Sequence, residues 1–176
     1  MYGQEPLENE EYPAIINQRH FKRISGLINE NKVIYGGKTD STTLRIEPTV
    51  MDGITWDDAV MKEEIFGPIL PIIEFDKIED AVSIISKFEK PLALYLFSND
   101  KNVQNYFLEK VPFGGGCVND TIIHLATTQM GFGGVGQSGY GAYHGKRSFL
   151  LFSHEKSIVK KYNYVDLPIT YQPYSK

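Results

Sequence analysis

The run "LALYLFS", residues 92–98, most constrains what this chain can fold into. It is apolar throughout and too short for a typical helix, so it predicts a strand buried on both faces. A helical stripe precedes it. In "KIEDAVSIISKFEK" the residues Ile78, Val82, Ile85 and Phe88 fall on one face, with Asp76 placed to cap the helix. Upstream of that stripe stands a second β-rich run, "ILPIIEF". Downstream, Ser98 or Asn99 is placed to cap "DKNVQNYFLEKV", and "CVNDTIIHL" follows a glycine cluster. Strand, helix, strand, helix, strand is the pattern of crossover units. The expected fold is α/β, a mostly parallel sheet with flanking helices.

The N-terminal half is less regular. The first 13 residues are polar, carry two prolines and read as a loop or arm. "NQRHFKRISGLINEN" places Phe21, Ile24, Leu27 and Ile28 at helical spacing, and "KVIYGG" reads as a short strand. "TDSTTLRIEPTVMDGI" alternates but contains Pro48, so extended chain is expected there rather than a central strand. "SFLLFSHEKSIVKKYNYV" is read as the source of an edge strand.

Composition excludes several classes. With 176 residues, 41% hydrophobic and 23% charged, the chain reads as one globular domain or a large piece of one. A net charge of −4 argues against a dedicated nucleic-acid binder, and the short basic cluster "EKSIVKKY" reads as a solvated strand end. The one cysteine, Cys117, rules out an internal disulfide and the common structural zinc sites. No apolar run has the roughly 18 residues that a membrane helix needs, and the acidic N-terminus is no signal peptide. The default location is the cytoplasm.

"GFGGVG", Gly131 to Gly136, fits the dinucleotide pattern G-x-G-x-x-G letter for letter. Its context does not fit. "ATTQM" ahead of it is a weak strand, and the three further glycines in "QSGYGAYHG" do not start a helix. Glu155 lies about 20 residues on, where a ribose-binding acid is looked for, but in a polar stretch leading into the basic cluster. The glycines read instead as a loop allowing close backbone approach.

Five stretches together resemble one family: "KEEIFGPILPI", "KPLALYLFS", "GGGCVND", "GFGGVGQSGYGAYHGKRSF" and "FSHEKSIVKK". In that order and spacing they are similar to the aldehyde dehydrogenases, and to the class 3 branch acting on fatty and aromatic aldehydes. The resemblance runs from about Tyr2 to Lys161 and covers only the C-terminal part of the family's chain.

The resemblance implies oxidation of an aldehyde to a carboxylic acid with NAD or NADP, through a cysteine thiohemiacetal. The family's nucleophile, glutamate base, oxyanion asparagine and coenzyme domain all fall upstream of Met1. No catalytic residue is therefore assigned in this chain, and alone it is expected to be inactive. Cys117 matches a later strand and reads as a small buried hydrophobe. His124 reads as a pocket or core residue.

Other positions carry over by resemblance. Glu64 matches the acid that accepts both hydroxyls of the nicotinamide ribose, a bidentate task suited to a carboxylate. Phe66 matches the ring beside the nicotinamide, while Glu63 reads as an exposed charge. Phe132, Ile122, Leu125 and His144 match the substrate tunnel. For Ile122 and Leu125 the alternative is core packing; for His144 it is bonding to the glycine-rich loop. Gly131 stands where the family usually has proline, which implies a looser approach to Phe132. Residues 1–150 match a partial catalytic domain. Residues 151–176 match an oligomerisation strand and tail, implying a dimer or pairing with the upstream portion. The rival expectation is a non-catalytic protein that keeps the fold for assembly.

Overall fold

The structure, a computed structural model, describes residues 2–165, 167 and 172. The chain divides into two compact units, Met1–Lys77 and Ile78–Lys176.

In the first unit, helix α1 (Gln18–Ser25) opens where Asn17 accepts a hydrogen bond from the His20 N–H at 2.9 Å. Its buried residues are Phe21 and Ile24, as the spacing predicted, but the helix stops at Ser25. Leu27 and Ile28 lie beyond it and still pack partly buried against the same core. A three-stranded sheet supplies the other wall, in the order β1 (Val33–Tyr35), β4 (Thr49–Met51), β5 (Ile69–Pro71). β1 pairs antiparallel with β4, and β4 parallel with β5. Ile24, Ile46, Met51, Ile54, Val60 and Ile69 close the core with Phe21.

One expectation is corrected here. β4 begins right after Pro48 and is the central strand of this sheet. Proline is tolerated there because it stands outside the ladder, and the following Thr49 N–H is the group that bonds, to Pro68 O at 2.8 Å. The short hairpin of β2 (Thr39–Asp40) and β3 (Arg45–Ile46) is antiparallel. The N-terminal arm is pinned by Tyr12, which is buried and donates its hydroxyl to Ile46 O. Lys32 meets Asp58 at 2.8 Å, and Thr55 donates to the same carboxylate from its N–H and its hydroxyl. These bonds favour the ionised form and hold the Asp58 carboxyl down at about 2.

The second unit contains the expected crossover. β6 (Ala93–Leu96) leads into α3 (Lys101–Lys110), which returns to β7 (Gly115–Val118) parallel and adjacent to β6. The cap of α3 is Asp100, whose side chain accepts from the Asn102 N–H at 2.7 Å. It is neither Ser98 nor Asn99; the Ser98 carbonyl is taken by Gln104 and Asn119 side chains instead. Helix α2 (Ile78–Ile85) begins two residues after Asp76, leaving that residue one position short of the cap. Ala81 and Val82 of α2 pack with Phe107 and Val111, and Leu94 and Leu96 lie partly buried against them.

The α/β class is met, with mixed rather than uniform sheets: β5 belongs to the first sheet, and β6 pairs only with β7 among the described residues. Consequently β6 is half-buried, not enclosed on both faces. The tail is corrected as well. "SFLL" falls in helix α4 (Gly145–Leu151), and residues 153–161 are exposed and form no strand.

Candidate functional site

The first unit presents the "KEEIFGP" turn on a clamp. The Arg23 guanidinium, from the last turn of α1, reaches Glu63 Oε1 at 2.9 Å and donates to Ile65 O at 2.6 Å. Two bonds from one planar group fix the turn on both sides of Glu64. The neighbouring acids are thereby told apart. Glu63 is consumed by Arg23, whereas Glu64 is exposed and its carboxylate takes no partner among the described residues.

Phe66 follows with φ of +47°, a conformation costly for a bulky side chain. Its ring stands 77% exposed. It borders an open groove of about 480 Å³ whose other walls are Ala14, Ile15, Ile16 and His20. Behind the turn, Gly67 lies against Ile24; a Cβ there would sit 2.8 Å from the isoleucine Cγ2. The turn is therefore seated directly on the core.

In the second unit Phe132 is the hub of an aromatic group that includes one of the predicted residues, His144. Phe132 and Tyr143 exchange backbone hydrogen bonds of 2.9 and 3.0 Å as an isolated antiparallel bridge. The His144 ring stacks on Phe132 at 6.1 Å and meets Tyr143 edge-on at 4.4 Å. His144 has φ of +87°, and its N–H donates to Ser148 Oγ. Its ring thus packs in an aromatic group. The His124 ring lies 5.7 Å from Phe132 on another side.

Ile122 is the N-cap and Leu125 the last residue of a short 3-10 turn, Ile123–Leu125, that carries His124. Neither packs in the core. Ile122 is 57% exposed and carries φ of +64°, rare for a β-branched residue. No helix opens at the end of "GFGGVG": Gly136–Ser138 is a 3-10 turn, and α4 starts only at Gly145. The space beside Gly131 is filled by Arg147, whose Nε would lie 2.7 Å from a Cβ built there.

Arg23, Tyr143 and Arg147 escaped the sequence reading. Arg23 and Glu63 are 40 residues apart, and no periodic rule links them. Tyr143 was legible only as part of a loop, because its bridge to Phe132 depends on the glycines between them.

Comparison with known proteins decides what this arrangement belongs to. The profile of the Aldehyde dehydrogenase family matches residues 2–158. The chain belongs to the aldehyde dehydrogenase family. Among relatives of this aldehyde dehydrogenase chain, 4,4'-diaponeurosporen-aldehyde dehydrogenase of Staphylococcus aureus is 43% identical over 98% of the chain and 38% of its own length. Aldehyde dehydrogenase family 3 member H1 of Arabidopsis thaliana is 42% identical over 99% of the chain and 37% of its own. The substrate-bound structure of Staphylococcus aureus AldH superposes with a TM-score of 0.91 at 43% identity, over 98% of the chain and 38% of that protein. The class 3 resemblance thus holds, and the chain spans little more than a third of these relatives' length. No helix among the described residues is long and apolar enough to cross a membrane.

Proposed function

We propose that this chain is the C-terminal portion of an NAD(P)-dependent aldehyde dehydrogenase that converts an aldehyde to a carboxylic acid. The exposed Glu64 carboxylate, without a partner among the described residues beside the clamped Glu63, carries the reading. A two-oxygen acceptor without a competing cation suits the vicinal hydroxyls of a nicotinamide ribose. Phe66, outside the core with its ring exposed, provides an apolar face beside that acceptor. When bound, NAD(P) supplies the hydride acceptor of the reaction. The chain's own residues hold the ribose at the Glu64 oxygens and wall the substrate with Ile122, Leu125, Phe132 and His144. The apolar and aromatic character of those residues suits a hydrophobic aldehyde.

Alone, these residues lack the nucleophile and base of the chemistry, and no turnover is expected from them. Residues 1–150 act as the catalytic-domain portion and 151–176 as the assembly segment, in the cytoplasm. A second reading, a non-catalytic assembly protein, is favoured by the tail, where Phe152 is 89% and Val159 94% exposed. Such apolar exposure matches a surface awaiting a partner, whether a second copy or the upstream portion.

The discriminating experiment measures NAD(P)-dependent oxidation of an aromatic and a long-chain aldehyde by the chain alone and after mixing with a purified N-terminal portion of a family 3 relative. Turnover only on mixing supports the main reading. Turnover by the chain alone contradicts the inactivity. No turnover in either case, with a stable complex to a full-length homologue, supports assembly.

A further inference from the structure

We propose that Cys117 and His124 form a thiol–imidazole pair that takes α,β-unsaturated carbonyl compounds by conjugate addition to the sulfur. The pair is built by two adjacent elements. β7 carries Cys117, and the 3-10 turn that follows folds His124 back over the strand, leaving Sγ 3.6 Å from Nδ1. The cysteine is only partly buried. The histidine is 8% exposed, and its ring lies on Gly115, where an added Cβ would be 3.1 Å from Cδ2. Tyr95 at 5.8 Å and Phe132 at 5.7 Å hold the ring edge-on and tilted. The imidazole is thus fixed against the sulfur.

His124 Nε2 is buried and has no hydrogen-bond partner among the described residues. A buried ring nitrogen of this kind needs an acceptor, which an ordered water can supply. With Nδ1 turned to the thiol as acceptor, Nε2 carries the ring hydrogen and meets no acceptor among the described residues. The sulfur supplies a soft nucleophile, and the aromatic neighbours suit a planar conjugated partner.

The step balances without any co-reactant. Nδ1 takes the thiol proton, and the sulfur bonds to the β-carbon of the C=C bond. The π pair moves toward the carbonyl as an enolate, and the imidazolium returns its proton to the α-carbon. One S–H is added across one double bond, with nothing oxidised or reduced overall.

The test uses trans-2-hexenal as probe and hexanal as the saturated control, with intact mass and peptide mapping as readouts. The chain's single cysteine makes the adduct unambiguous when Cys117→Ser is run beside it. The expected result is one hexenal adduct on Cys117, none from hexanal, formed roughly tenfold or more faster in the native chain than in the urea-unfolded chain. His124→Phe, checked for folding by circular dichroism, is expected to bring the native rate down to the unfolded one. A native rate no greater than the unfolded rate overturns the proposal, as does a folded His124→Phe variant that reacts as fast as wild type. If that variant does not fold, the native-to-unfolded comparison decides by itself. Loss of aldehyde turnover in a reconstituted enzyme has no bearing on this result, so the two readings fail separately.

Discussion

Phe132 and Tyr143 are joined by both of their backbone hydrogen bonds, at 2.9 and 3.0 Å, across a loop of glycines. That bridge stacks Phe132 against His144. It depends on close approach: a Cβ on Gly133 would run into Gly141 O and lie 2.9 Å from Ala142 Cα. Both are backbone positions, so neither can swing aside. Gly133→Ala is therefore expected to destabilise the second unit by about 1–3 kcal/mol. Urea unfolding followed by near-ultraviolet circular dichroism of the aromatic group measures it, and an unchanged midpoint would contradict the bridge's role.

Gly131 tests a different kind of crowding. Its open side is occupied by the side chain of Arg147, with Ala142 Cβ 3.1 Å from an added Cβ. Gly131→Ala forces the arginine stem to move, and Arg147→Ala removes the obstacle. The two substitutions should couple by about 0.5–3 kcal/mol in a double-mutant cycle of unfolding free energies. The double variant is then more stable than the two single costs predict. Strict additivity would mean that Arg147 does not fill this space.

Much of this was readable beforehand, and the misses have physical causes. The β6–α3–β7 crossover is legible because apolar runs and a helical stripe are local signals. The middle position of β4 is not, since Pro48 looks like a barrier until the neighbouring N–H is seen to make the bond. Asp100 displaced Ser98 and Asn99 as the cap because three consecutive polar residues all suit that role and only geometry chooses among them. The tail's strand was read from composition and from the family resemblance; among the described residues it finds no partner strand. Glu64 and Phe66 were singled out by family resemblance, whereas the Arg23 clamp needs the two ends of a 40-residue separation brought together.

That clamp gives a functional prediction. Arg23 is expected to act through the turn, as a positioning residue for Glu64 and Phe66. In an active fusion with the upstream portion of a relative, Arg23→Ala is expected to raise the coenzyme KM by roughly tenfold with a smaller change in kcat. Arg23→Lys should recover only part, because an ammonium cannot reproduce the two-pronged contact. Equal effects on KM for aldehyde and coenzyme would count against the assignment.

Acid stability should report on Asp58. Lys32 and Thr55 hold its carboxyl at about 2, below its ordinary 3.8. A depressed folded-state value stabilises the fold above the unfolded value and is lost as pH falls through the folded one. The contribution is therefore complete above about pH 4 and fades between 3.8 and 2. Asp58→Asn is expected to flatten the pH dependence of the urea midpoint in that window. A variant with the same slope as wild type would show that Asp58 is not the group titrating.

A ribose-accepting role for Glu64 in an aldehyde dehydrogenase is open to one direct measurement. The chain is fused in frame behind the N-terminal portion of the Staphylococcus aureus relative, and coenzyme reduction by an aromatic aldehyde is followed for wild type and Glu64→Gln. Loss of charge-assisted hydrogen bonds to a sugar hydroxyl pair is expected to lower kcat/KM for the coenzyme by roughly 10- to 100-fold, with the fold intact. An active fusion whose Glu64→Gln variant keeps the wild-type kcat/KM would contradict a ribose-accepting role for Glu64.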